Sequence, residues 1–140
     1  MMESVFVDTS GWYAAIVRKD HSHKAAKQFL TNNDLPLTTS DYVMDETVIL
    51  LQSRVGHNHA VSFLDALQTS RQIQLLYITP SQIAETIKLF RNRHDKGWSF
   101  TDCSFFVLMR EYQIQVAFAL DEHFQQAGFQ TKPDNRNPLY

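Results

Sequence analysis

The sequence has one cysteine, Cys103, in 140 residues, which excludes an internal disulfide and any zinc site built on several thiolates. It has no apolar run approaching the roughly 20 residues that a membrane-crossing helix needs. Its opening, MMESVFVDTSGW, carries an acidic residue where a secretory signal would be basic, so a cytoplasmic protein is expected. An excess of positive charge is also missing: 13 Lys and Arg stand against 15 Asp and Glu, a net charge of -2. Bulk attraction for a polyanion is therefore weak unless basic residues cluster. Carboxylates gathered around bound cations would lower the formal charge of the bare chain but not that of the loaded site.

What is present is an ordinary globular composition, 44% hydrophobic and 20% charged, with no repeat and no linker-like stretch. The chain has the size of one domain. Ser4 to Val7 is a short β-branched and aromatic run that stops at Asp8-Thr9-Ser10-Gly11, residues that begin turns and helices. Helical spacing follows from Trp12 to Val17 and from His23 to Leu30, with a break at His21-Ser22. A second strand is expected at 35–39, with helices over 42–54 and around Val61 to Leu67. A third strand is expected at 73–78, a helix starting at Thr79-Pro80-Ser81, another over 101–112, and a fourth strand at 115–120. Strands alternating with helices at this spacing predict an α/β fold, a three-layer α/β/α sandwich around a central parallel sheet. One domain is expected over 1–132, with a turn-rich, loosely held tail over 133–140.

In open α/β sheets ligands bind beyond the carboxyl ends of the strands. Asp8 follows the first strand and Asp121 the fourth. Glu46 lies early in the helix after strand two, and Asp102 in the first turn of the helix before strand four. All four carboxylates can therefore face one crevice. Like charges brought so close raise one another's pKa and are costly unless a cation binds among them. Hard oxygen donors without paired His or Cys favour Mg²⁺ or Mn²⁺ over zinc. One or two such ions would lower the pKa of a bound water and neutralise charge developing on a phosphate, so no protein nucleophile is required. Taken singly, each acid also has a plainer reading. Asp8 and Asp121 can be helix N-caps, Asp102 can close a capping box with Ser99, and Glu46 can favour a helix start.

The four acids sit in VDTSGW, YVMDETVILL, WSFTDCSFFVLMREY and ALDEHFQQAGF. In the order and spacing of these segments, over nearly its whole length, the chain resembles the PIN domain family, in particular the VapC-like toxins of bacterial and archaeal toxin–antitoxin pairs. The resemblance implies an α/β/α nuclease fold, Mg²⁺- or Mn²⁺-dependent cleavage of RNA, a homodimer, and inhibition by a small cognate antitoxin whose tail occupies the active-site groove. It places the family's acids on Asp8, Glu46, Asp102 and Asp121. Many relatives carry Thr or Ser two residues before the last aspartate, where this chain has Ala119, so one polar contact of the site is missing. Thr9 and Ser10 remain beside Asp8, and Ser10 can bond to the Asp8 carboxylate or to a metal-bound water. Asp45 points to a different helical face from Glu46 and reads as solvated.

Arg91, Arg93, Lys96 and Trp98 precede Asp102 and are candidates to grip phosphate and stack a base of single-stranded RNA; the alternative is a solvated loop. His21 with His23, and His57 with His59, are spaced i, i+2, which does not put two rings on one helical face. His57-Asn58-His59 has helical flanks, unlike the ββα-metal unit of HNH endonucleases. Trp12, Tyr13, Phe105 and Phe106 are read as core or dimer-interface residues. A haloacid-dehalogenase-like phosphatase would need a second aspartate where Ser10 stands. A PIN-like module that binds RNA or protein without cutting would be expected to lack some of the acids, and all four are present.

Overall fold

The computed structural model describes residues 3–134; most of the tail expected over 133–140 lies outside the described residues. Five short strands build one parallel sheet: β1 (Val5–Val7), β2 (Leu37–Ser40), β3 (Ile73–Leu76), β4 (Val116–Phe118) and β5 (Gln130–Lys132). The connecting helices are α1 (Thr9–Ile16), α2 (His23–Asn32), α3 (Asp41–Arg54), α4 (His57–Thr69), α5 (Pro80–Asn92), α6 (Phe100–Glu111) and α7 (His123–Gln126).

Every residue of β1 is buried, as a central parallel strand covered on both faces must be. Strand β2 is buried although three of its four residues carry hydroxyls. Those hydroxyls are satisfied locally. Thr39 Oγ1 donates to the Val7 carbonyl at 2.9 Å and accepts from Trp12 Nε1 at 3.3 Å, and Ser40 Oγ caps α3 by accepting from Val43 N at 3.2 Å. A buried polar group kept in hydrogen bonds avoids the penalty of about 1–3 kcal/mol for leaving it unpaired.

The strand order is β3-β2-β1-β4-β5. From β1 the chain steps outward through β2 to β3, then returns to the other side of β1 for β4 and continues to β5. Right-handed crossovers put α1 to α4 on one face and α5 to α7 on the other. The aromatic contacts agree: Phe6 meets Phe105 of α6 with ring centroids 5.4 Å apart, while Phe118 meets Phe29 of α2 at 4.9 Å. Strand order reverses between β1 and β4, and the crevice at such a switch point is where α/β sheets take ligands. Asp8 and Asp121 follow these two strands.

Close packing at the switch point depends on Gly11. A Cβ there would sit 2.4 Å from the Phe118 carbonyl oxygen, so only glycine lets the first turn of α1 approach the end of β4 this closely.

The sheet has one strand more than the sequence analysis foresees. Strand β5 and the single-turn α7 follow Asp121, and β4 is shorter than the expected 115–120 because the chain leaves the sheet after Phe118. Ala119 N still bonds to the Lys132 carbonyl at 3.0 Å, which ties the end of β4 to β5.

Candidate metal centre

Asp8 leaves the sheet as the N-cap of α1. Its Oδ1 accepts from Thr9 N and its Oδ2 from Ser10 Oγ, both at 2.6 Å. Ser10 Oγ in turn accepts from Leu120 N at 2.9 Å, so the first strand's aspartate is braced against the loop after β4. Asp8 is only 3% exposed. Burial above all, then the charges of Asp121 and Asp102, push its carboxyl well above the ordinary carboxylate range, against the opposing bonds from Ser10 and Thr9.

Asp102 arrives from the opposite face. Ser99 and Asp102 form a reciprocal capping box at the start of α6: Ser99 Oγ accepts from Asp102 N at 2.9 Å, and Asp102 Oδ2 accepts from Ser99 N at 3.0 Å. The plain reading of Asp102 as a capping residue is therefore correct, and it does not compete with a role in the centre. Asp121, in the loop after β4, accepts from His123 N at 3.0 Å through Oδ1. Burial first, and the Asp102 charge, raise the Asp121 carboxyl above its ordinary value, opposed by His123.

One potential ligand atom from each of Asp102, Asp121 and His123 lies within 4.8 Å of the others. His123 is the residue that sequence reasoning missed. Its signal in the sequence is its place two residues after Asp121, apart from the i, i+2 histidine pairs. Of those, His21, His57 and His59 are exposed, and His23 Nδ1 bonds to the Ala14 carbonyl at 2.8 Å.

Asp8 stands beside this close group, near enough to feel the charges of Asp121 and Asp102, and Glu46 does not join it. It lies at the margin, where Thr9 Oγ1 donates to Glu46 Oε1 at 2.5 Å and itself accepts from Thr47 Oγ1 at 3.4 Å. Thr9 thus links Glu46 to Asp8, while the exposed Asp45 points away.

Arg91, Arg93 and Lys96 are exposed in and around the loop before α6. Trp98 corrects the expectation of a base-stacking platform. It is 6% exposed, its ring meets Phe106 edge-on at 4.8 Å, and its Nε1 donates to Gln126 Oε1 at 3.0 Å. Arg93 covers its remaining face, with the guanidinium 5.9 Å from the ring centroid. The indole belongs to the core, and the basic loop is anchored by it.

The donor set fits a hard divalent cation. It is rich in carboxylate oxygens, and two of the acids are held where ionisation without a counter-charge is unfavourable.

An open parallel sheet with acids gathered at its switch point, and an acid-bearing helix start opposite, is the architecture of a nuclease domain of one particular kind: the chain belongs to the PIN domain family, whose model matches residues 5–130. Within that family it is similar to VapC20 of Mycobacterium tuberculosis, a 23S rRNA-specific endonuclease. The two are 36% identical over 126 residues, 89% of this chain and 95% of that protein, in strain CDC 1551 / Oshkosh and in strain ATCC 25618 / H37Rv alike. The crystal structure of that VapC20, a sarcin-ricin loop cleaving toxin, matches with a TM-score of 0.85 at 32% identity, over 89% of this chain and 95% of that one. FitAcB from Neisseria gonorrhoeae (TM-score 0.69, 97% of this chain and 99% of that one) shares the fold at 12% identity. DNA-bound VapBC from Salmonella typhimurium (TM-score 0.67, 94% and 98%) does so at the same 12% identity. The expected three-layer α/β/α fold is borne out.

Proposed function

We propose that this protein is a metal-dependent endoribonuclease, the toxin of a toxin–antitoxin pair, and that its substrate is 23S rRNA at the sarcin-ricin loop. The observation that carries the reading is the convergence of Asp8, Asp102 and Asp121 at the switch point, with Asp8 almost fully buried. The likeness to an rRNA endonuclease over most of both chains supports the substrate.

In this reading Asp8, Asp102 and Asp121 hold one or two Mg²⁺ or Mn²⁺ ions, and Glu46 completes the site from its margin. A bound divalent ion supplies a water of lowered pKa and neutralises charge on the phosphate. The protein's own residues supply position. Ser10 fixes Asp8 against the loop after β4, and Thr9 orients Glu46. Burial of Asp8 and Asp102 keeps bulk water from screening their charges. Arg91, Arg93 and Lys96 contact RNA phosphates beside the site. A small antitoxin occupies the same groove. The exposed Ile87 and Phe90, one helical turn apart on α5, support a homodimer. No helix among the described residues is long and apolar enough to cross a membrane. The proposed nuclease is a single domain over 1–132 acting in the cytoplasm.

The test is incubation of ribosomes and of stripped 23S rRNA with purified protein in EDTA, Mg²⁺ or Mn²⁺, read by primer extension, beside an Asp102→Asn variant. A cut in the sarcin-ricin loop that needs metal and vanishes in the variant is expected. Cleavage that survives EDTA, or that the variant performs at the parental rate, refutes the proposal.

A further inference from the structure

The Asp102 carboxylate meets its protein partners through one oxygen. Oδ2 accepts from Ser99 N at 3.0 Å and lies 2.8 Å from His123 Nδ1, which leaves Oδ1 for a cation. A carboxylate oxygen has only lone pairs to offer, so an imidazole nitrogen at 2.8 Å must carry the proton between them. The distance therefore assigns the Nδ1–H form of His123 as donor. The same residue reaches the neighbouring acid through its main chain, His123 N donating to Asp121 Oδ1 at 3.0 Å. Asp102 comes from α6 and Asp121 from the loop after β4, and among the described residues His123 is the one bonded to both.

Its place is fixed from beneath. Phe124, the next residue, is fully buried, stacked on Phe105 at 5.6 Å and edge-on to Phe106 at 5.2 Å. Both of those rings lie on α6, three and four residues after Asp102 and so about one helical turn along the same helix. The imidazole is thus docked onto the helix whose acid it holds. Two carboxylates this close repel, and a side chain held only by its capping bond can rotate away.

We propose that His123 is a positioning residue: its Nδ1–H bond to Asp102, together with its main-chain bond to Asp121, sets the two carboxylates in the arrangement that takes up the divalent ion. In this role His123 acts through its Nδ1–H and main-chain N–H, and no bond from Nε2 to the ion is required. The inference rests on the metal-dependent function proposed above.

The test is calorimetric titration with Mn²⁺ in the absence of RNA, comparing the parent with His123→Ala, His123→Asn and His123→Gln. Asparagine places an N–H donor where Nδ1 stands, whereas the glutamine amide reaches only as far as Nε2. Loss of an orienting partner of this kind weakens metal binding about 10- to 100-fold. That loss is expected for His123→Ala and His123→Gln, with near-parental affinity for His123→Asn and folded circular dichroism spectra throughout. Parental affinity in His123→Ala overturns the role, and so does an asparagine variant as weak as alanine, which would mark the imidazole as a ligand. If His123→Ala does not fold, the comparison of asparagine with glutamine decides. A parent that takes up no Mn²⁺ overturns the metal-dependent function and this inference with it, whereas a metal-binding parent with an unaffected alanine variant overturns only the role of His123.

Discussion

Replacing Gly11 by alanine sets two effects of opposite sign against each other. Gly11 lies inside α1, where alanine is the better helix former by about 1 kcal/mol, so propensity alone predicts a more stable protein. The structure predicts the reverse. The new Cβ would meet the Phe118 carbonyl oxygen at 2.4 Å and its carbon at 3.1 Å, and that carbonyl cannot swing aside, because it accepts from Asp8 N at 3.2 Å. Helix α1 must therefore move off the end of β4. Overpacking of this kind costs about 1–3 kcal/mol, and a clash with backbone belongs at the upper end, leaving a net loss of about 1–2 kcal/mol. For a chain of this size that is a fall in Tm of about 4–8 °C, measurable by differential scanning fluorimetry without metal. Activity should fall further than stability implies, since the displacement is transmitted to Asp8 and to the Ser10–Leu120 bond, and misplacement by about 1 Å can cost a hundredfold in rate. A Gly11→Ala protein that melts above the parent and cuts RNA normally would refute the argument that this contact sets the site.

Three further predictions follow from the charges and burial around the centre. Asp8→Asn should abolish cleavage yet melt higher than the metal-free parent at pH 7.5, because it removes a buried, repelled carboxylate. The folded-state pKa of Asp8 lies above its unfolded value, so the parent's disadvantage grows as pH rises through that interval and disappears at acid pH; a Tm difference that does not change with pH would count against it. Combined alanine substitution of Arg91, Arg93 and Lys96 should weaken RNA binding and lower the salt dependence of log K by about 0.7 per lost phosphate contact, measured by fluorescence anisotropy across a salt series. Cys103 is fully buried, and burial followed by the Asp102 charge pushes its thiol up to about 11, so a thiol reagent should label it only as fast as the protein opens.

The strands that build the centre of the sheet were legible because they are short apolar or β-branched runs ended by helix-starting residues, and Asp8 was legible for the same reason. The start of α5 was equally plain, since the Thr79-Pro80-Ser81 opening puts proline at the first helical position, and the structure adds a capping box between Thr79 and Gln82. Strand β5 was not legible. Gln130–Lys132 is three residues of mixed polarity, two of them exposed, and only its pairing with β4 makes it a strand. Trp98 was misread because its polar neighbours suggest a solvated loop, whereas its partners Phe106 and Gln126 lie 8 and 28 residues away. The separation of Glu46 from the closest acids could not be read either. Its helix and turn were apparent, but the 2.5 Å bond to Thr9 that holds it at the margin is a tertiary fact.

Strand β4 pairs directly with β1, Val5 opposite Val116 and Val7 opposite Phe118, and the Ser10–Leu120 bond spans 110 residues of sequence. During synthesis the ribosome therefore delivers Asp8 long before it delivers Asp121, and β1, β2 and β3 can pair while the acids of the later half are still being made. An emerging chain of this kind carries no assembled centre. For an enzyme proposed to cut ribosomal RNA, the topology itself keeps the nascent protein harmless to the particle that is making it.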